Sequence, residues 1–187
     1  MSLLKVMRMG DPVLRRRADP IADPADPAVA QLANSMIETM VAAPGVGLAA
    51  PQVGQSLRLI VMRVVADRAQ AAEAPEAERM IALINPELEA LGTETEFGWE
   101  GCLSAPELRG VVPRFSRIGY RAFLTDGRPI QGEATGFQAR ILQHEVDHLD
   151  GILYLDRMRD LSTLGYGEEI QAAAEAARMA DEAGPSL

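Results

Sequence analysis

The stretch Thr135–Gly151, TGFQARILQHEVDHLDG, decides how the rest of the chain has to fold. Phe137, Ile141, His144 and His148 recur at helical spacing on one face, while Ala139, Leu142, Val146 and Leu149 cover another. A helix that is apolar on several faces is buried on several faces, so this one is expected at the centre of the protein. Thr135 with Gln138 three residues later matches a capping box at its start. Gly151 suits the C′ position that closes it after Asp150.

Strand signals surround this helix. Arg117–Leu124 and Arg128–Ala134 read as two strands joined by a turn at Asp126-Gly127. Leu57–Val65, LRLIVMRVV, is β-branched and apolar enough for a buried strand. Met80–Asn85 is a shorter run ended by Asn85-Pro86. An earlier helix starts at the N-cap Asp26, with Pro27 at its first position. It carries Val29, Leu32, Ala33, Met36, Ile37, Met40 and Val41 as one stripe and stops near Ala43, before Pro44-Gly45. Asp19–Pro27 is an extended loop, 66–79 an exposed insertion, and Glu168–Glu182 a terminal helix. Strands and helices that do not alternate predict an α+β protein. The expected architecture is a single domain of antiparallel or mixed β-sheets packed around the central buried helix, with a C-terminal helix. Residues 1–160 form its body and 161–187 a helical tail of the same domain.

Composition narrows the function. The 187 residues are 48% hydrophobic and 24% charged, as in a globular domain. A net charge of −9 argues against a broad nucleic-acid face, which requires surplus Lys and Arg. One cysteine excludes an internal disulfide. The opening MSLLKVMRMGDP is interrupted by Lys5 and Arg8, too soon for a secretory signal. No run of about 18 apolar residues suggests a membrane span, and the cytoplasm is the expected location. Arg15-Arg16-Arg17, with no second cluster to support it, reads as a solvated turn flank.

Both histidines of the chain fall in His144-Glu145-Val146-Asp147-His148. A spacing of four brings the imidazoles to one side of a helix, where both can grip one ion, and sets Glu145 beside it to handle a proton. Two randomly placed histidines give this pattern in roughly one such sequence in a thousand. A catalytic site of this type needs a third protein ligand and an open position for water. Cys102, in Glu100-Gly101-Cys102-Leu103-Ser104, is one candidate; Glu168 or Glu169, as in a zincin-type peptidase, is the other.

Three separated segments then carry a resemblance. Gly45-Val46-Gly47-Leu48-Ala49-Ala50-Pro51-Gln52, Glu100–Ser104 and Gln143–Gly151 occur in the order and at the spacing of the peptide deformylase family. GDPVLR near the start, INPEL at Ile84–Leu88 and TDGRP at Thr125–Pro129 fit too, so about residues 4–160 resemble the family. The resemblance implies that residues 1–160 are a catalytic domain hydrolysing the N-formyl group from the formyl-methionine of nascent chains, with release of formate. It implies Cys102, His144 and His148 as ligands of one divalent metal, ferrous iron or otherwise Zn2+, Ni2+ or Co2+. Glu145 would be the general base and then acid, and Gln52 with the backbone N–H of Leu103 the oxyanion donors. Gly45 and Gly47 would let an extended substrate approach the backbone. Val46, Gly47, Phe137 and Ile141 would meet the substrate, its methionine pocket being apolar. Arg140 would sit at the pocket mouth, its stem on the substrate and its charge in water.

Glu100 is expected to pair with Arg109 or Arg114 and hold the Cys102 loop. Ala105 is smaller than the residue the family usually has there. The tail from 161 to 187 has net charge −4, with Arg178 its only cation, so any proximity to the ribosome would not run through a basic tail. A metal-binding relative without catalysis remains an alternative, against which Glu145 and Gln52 argue, since neither is needed merely to hold an ion.

Overall fold

The computed structural model describes residues 3–65 and 78–183. Helix α1 (Pro27–Ala42) starts where expected, with the Asp26 side chain accepting from the Ala28 N–H at 2.8 Å. A three-residue strand β1 (Gly47–Ala49) leads into a 3-10 turn over Ala50–Val53 and then β2 (Leu59–Val65). Next come β3 (Glu78–Ala90), β4 (Thr95–Cys102), β5 (Ala105–Phe115), β6 (Arg117–Phe123) and β7 (Pro129–Thr135). The central helix α2 (Gly136–Leu149) follows, then a single turn α3 (Tyr154–Arg157), β8 (Gly165–Tyr166) and α4 (Gly167–Ala183). Of the expected insertion at 66–79, residues 66–77 lie outside the described residues; Glu78 and Arg79 already belong to β3.

Two antiparallel sheets result, one of five strands in the order β1-β2-β3-β6-β7 and one of three in the order β4-β5-β8. The alternation within β2 explains the layers. Leu59 and Val61 face the cluster built by Val29, Ala33, Met36 and Met40 of α1. Ile60 and Met62 face the cluster of Ala139, Ile141, Leu142, Val146 and Leu149 of α2. Helix α2 touches both sheets, meeting β1, β2, β3, β6 and β7 on one side and β5 on the other. That double burial is what its sequence requires, and it makes the architecture α+β as expected.

Three local readings change. Pro86 does not end a strand: β3 continues through a register shift between Ile84 and Glu87, with Asn85 at φ 51. A bulge leaves the missing Pro86 N–H without consequence. The Asn85 side chain uses the bend to accept from the Ile21 N–H and donate to the Ile21 carbonyl, both at 2.9 Å. The capping box at Thr135 does not form; the Thr135 side chain makes no capping bond. The Gly136 N–H instead donates to the Ser116 carbonyl at 3.1 Å, tying the helix start to the β5–β6 corner. And β4 with β5, unmarked by apolar alternation in the sequence, form the larger part of the second sheet.

The N-terminal segment fastens these parts together. Met7 N–H donates to the Gln52 carbonyl, Met9 N–H to the Ser104 carbonyl, and Ala18 N–H to the Leu149 carbonyl at the end of α2. Gly151 makes the last junction possible, because it has φ 74 and a Cβ there would stand 2.7 Å from the Arg15 carbonyl oxygen. Both the left-handed conformation and a backbone clash oppose any side chain. Gly151→Ala is therefore expected to cost about 2 kcal/mol or more, lowering Tm by roughly 4–8 °C. Calorimetry checks this, and an unchanged Tm would refute the strap.

Candidate metal centre

His144 and His148 emerge one turn apart on α2, 8% and 1% exposed, with ring centroids 5.0 Å apart and planes at 76°. The end of β4 delivers Cys102 to the same point, its Sγ 3.2 Å from His148 Nε2. One donor atom from each of Cys102, His144 and His148 lies within 4.8 Å of the other two, a spacing that lets the three close on one ion. The rival third ligands do not come near: Glu168 and Glu169 occupy the exposed first turn of α4.

The set is oriented from behind. His144 Nδ1 lies 2.8 Å from Glu100 Oε2. Burial alone would raise the Glu100 pKa, but hydrogen bonds from His144 and Arg114 outweigh it and bring it down to about 2. An ionised Glu100 only accepts, so Nδ1 carries the proton and Nε2 is left to face the cluster. Of the two expected partners of Glu100 the fold selects Arg114, whose Nε and Nη2 donate to the two carboxylate oxygens at 2.9 Å each. Arg114 and Glu100 are both buried, and Arg114 goes on to Asp147, which Arg157 also grips at 2.7 Å. Arg109 crosses Gly101 instead, where a Cβ would collide with its guanidinium.

Glu145 sits beside the histidines, 4% exposed, and its Oε2 has no hydrogen-bond partner among the described residues. Burial pushes its pKa up to about 7. Its carboxyl group rests on the bare Cα of Gly47, where a Cβ would come within 2.2 Å of Oε1. Gln52 is fixed by its own loop: Oε1 accepts from the Ala49 N–H at 2.8 Å, while Nε2 donates to Cys102 Sγ at 3.3 Å and to Ser104 Oγ at 3.2 Å.

These groups open into a cleft of ≈ 430 Å³. Val46, Gly47, Gln52, Cys102, Leu103, Phe137, Arg140, Ile141, His144 and Glu145 all line it, whereas His148, though beside Cys102, is buried and not among the lining residues. Arg140 differs from expectation in one respect: its charge is not in water but tied to Glu100 Oε1 at 2.8 Å, with its side chain 11% exposed. The sequence reading missed Trp99, Pro106, Glu107 and Arg109 among the lining residues. Trp99 had a signal, being the only tryptophan and adjacent to Glu100. Asp147 was also missed, although a carboxylate inside a helix buried on all sides needs a cationic partner.

Comparison with known proteins agrees with this geometry. Residues 3–163 match the family model described as polypeptide deformylase. The chain is 42% identical over 173 residues to peptide deformylase 1 of Prochlorococcus marinus (strain MIT 9313), covering 92% of this chain and 90% of that one. It is 47% identical over 163 residues to peptide deformylase 1 of Bordetella pertussis, covering 87% and 92%. Among solved structures it is similar to the peptide deformylase of Thermotoga maritima, with a TM-score of 0.76 and 40% identity over 86% of this chain and all of that one. A Synechococcus elongatus peptide deformylase in complex with actinonin gives a TM-score of 0.73 and 38% identity, covering 84% and 79%.

The raised Glu145 pKa predicts a pH effect on the ion-free protein. A folded pKa above the unfolded value of 4.5 gives stability that is complete below pH 4.5 and lost as pH rises through about 7. The loss amounts to about 3 kcal/mol and is absent from Glu145→Gln. Urea unfolding at pH 4.5 and 8 should therefore show wild type losing ground to the variant at the higher pH; a pH-independent difference would contradict it.

Proposed function

The chain belongs to the polypeptide deformylase family, a hydrolase acting on the N-formyl group of nascent polypeptides, and from that premise we propose how its own residues do the work. The observation that carries the reading is the buried Cys102–His144–His148 set with, beside it, a Glu145 oxygen that has no hydrogen-bond partner among the described residues. Those three side chains would hold one divalent ion, Fe2+ in our reading with Zn2+, Ni2+ or Co2+ able to replace it, which supplies Lewis acidity and an activated water near neutral pH. In this reading residues 1–160 are the catalytic domain and the tail from 161 belongs to the same domain, its described part adding β8 to the second sheet before α4.

Glu145 accepts the water proton and returns it to the amine nitrogen as formate leaves. Burial suits it to both tasks, since a carboxyl pushed up to about 7 gives and takes a proton at neutral pH. Gln52 Nε2 and the Leu103 N–H donate to the oxyanion of the attacked formyl carbon. Gln52 meets it by releasing one of its present acceptors, Ser104 Oγ, while the Ala49 N–H keeps the amide plane fixed. A donor of this kind is worth about 10²–10³ in rate.

The methionine side chain enters between Val46, Phe137 and Ile141, against the stem of Arg140. The following residues lie extended between β1 and β4, each an outer strand of its sheet and each bordering the cleft. Unpaired strand edges bind peptide main chain, and Gly47 lets it come close. We place this activity in the cytoplasm, near the ribosome but not bound through the tail, because Gln171–Met179 of α4 is exposed and the tail is net acidic. No described helix is long and apolar enough to cross a membrane.

Formate release from a formyl-Met peptide by anaerobically purified, iron-loaded protein tests the whole reading. Cys102→Ala should abolish release and Glu168→Ala leave it intact; the reverse result would favour a zincin-type site. Gly47→Ala should lower kcat by about 10² by displacing Glu145, with bound metal unchanged on elemental analysis.

A further inference from the structure

Arg140 makes more polar contacts than a pocket-mouth side chain requires. Its Nη1 donates to Glu100 Oε1 and to the Val112 carbonyl, each at 2.8 Å, and to the Gly98 carbonyl at 3.4 Å. Its Nη2 donates to the Glu96 carbonyl at 2.7 Å. One guanidinium on α2 thus joins both long strands of the second sheet to the carboxylate that orients His144. The sequence makes room for it: a Cβ at Gly98 would stand 2.8 Å from both the guanidinium carbon and Nη2.

Glu100 is consequently held on three sides. Oε1 accepts from Arg114 and Arg140, and Oε2 from Arg114 and His144. Arg114 fixes the carboxylate plane from β5 and links it to α2 only indirectly, through its own bond to Asp147. Arg140 ties the same carboxylate to α2, the helix that carries His144.

The geometry points to Arg140 as a positioning residue for the metal ligand His144, acting through Glu100, with Gly98 as the gap that admits it. This rests on the metal-centre reading above. Groups behind a ligating histidine typically change metal affinity by 10–100-fold when removed. A side chain that only contacted substrate would leave metal release unchanged.

The test uses cobalt-loaded protein, followed by its thiolate-to-cobalt absorption while excess EDTA removes the ion. Arg140→Met should release cobalt roughly 10-fold faster than wild type, and Arg140→Lys, which keeps the charge but not the fork, at an intermediate rate. Gly98→Ala should also accelerate release by displacing the guanidinium, and it carries the test if Arg140→Met does not fold. The double variant should be no faster than Arg140→Met alone, since both changes break one connection. With a formyl-Met tripeptide, kcat should fall while KM stays within about twofold of wild type. Wild-type release rates in both single variants, or a raised KM with unchanged kcat and release, would overturn the positioning role. No thiolate band in the wild type would overturn the metal reading itself, and the positioning role with it.

Discussion

Helix α2 can lie between two sheets only if the charged groups it takes inside are neutralised there. It buries His144, Glu145, Asp147 and His148 within little more than one turn, and burying an unpaired charge costs several kcal/mol. The second sheet supplies the answer from its inner face. Arg114 bridges Asp147 of the helix and Glu100 of β4, and Glu100 reaches back to His144. Removing one member would leave its partner charged and buried, a loss of about 3–5 kcal/mol. The same contacts that permit the helix to be buried also fix the tautomer and direction of its first histidine.

The rest of the fold serves that junction. The five-stranded sheet gives α2 an apolar seat, with Ile60 and Met62 of β2 beneath Leu142, Val146 and Leu149. The edge of that sheet, β1, brings Gly47 against Glu145, and the turn after it brings Gln52 against Cys102. The N-terminal strap crosses from the Gln52 turn to the Ser104 loop and ends at α2. Three segments far apart in sequence therefore meet through backbone hydrogen bonds rather than through side-chain packing alone.

How much of this was legible depended on whether polarity tracked burial. Where it did, as in α1, β2 and the apolar positions of α2, the pattern of Val29–Met40, Leu59–Val65 and Ala139–Leu149 predicted the elements closely. In β4 and β5 polarity is inverted. Glu100 and Arg114 face inward at 6% and 5% exposure, while Phe97, Trp99 and Phe115 face outward at 60%, 51% and 41%. Alternation rules read such strands as loops, because they assume the apolar residue is the buried one. The Cys102–His144–His148 cluster was legible for a different reason: the spacing of the two histidines marked one pair, and the resemblance to the family, not the residues alone, selected Cys102 over Glu168 or Glu169. The two partners of Glu100 were not separable, since Arg109 and Arg114 are equally plausible until the bulge between Gly101 and Cys102 sets the register.

That inversion bears on where stability is given up. Four buried side-chain polar atoms lack a partner among the described residues, and three of them, Glu145 Oε2, His148 Nδ1 and the Tyr154 hydroxyl, belong to this one region; Tyr154 stacks on His144 at 6.0 Å. Around them Glu100, Arg114, Arg140 and Asp147 are each bonded more than once. A core that saturates its supporting charges yet leaves the carboxylate next to the ligand cluster short of a partner is not loosely built. Each support is satisfied because its task is to stay still. In the role proposed for Glu145 its unbonded Oε2 has a purpose, because a proton carrier already committed to a strong donor would lose its basicity; the cost of burying it unpaired would then be the condition for that chemistry.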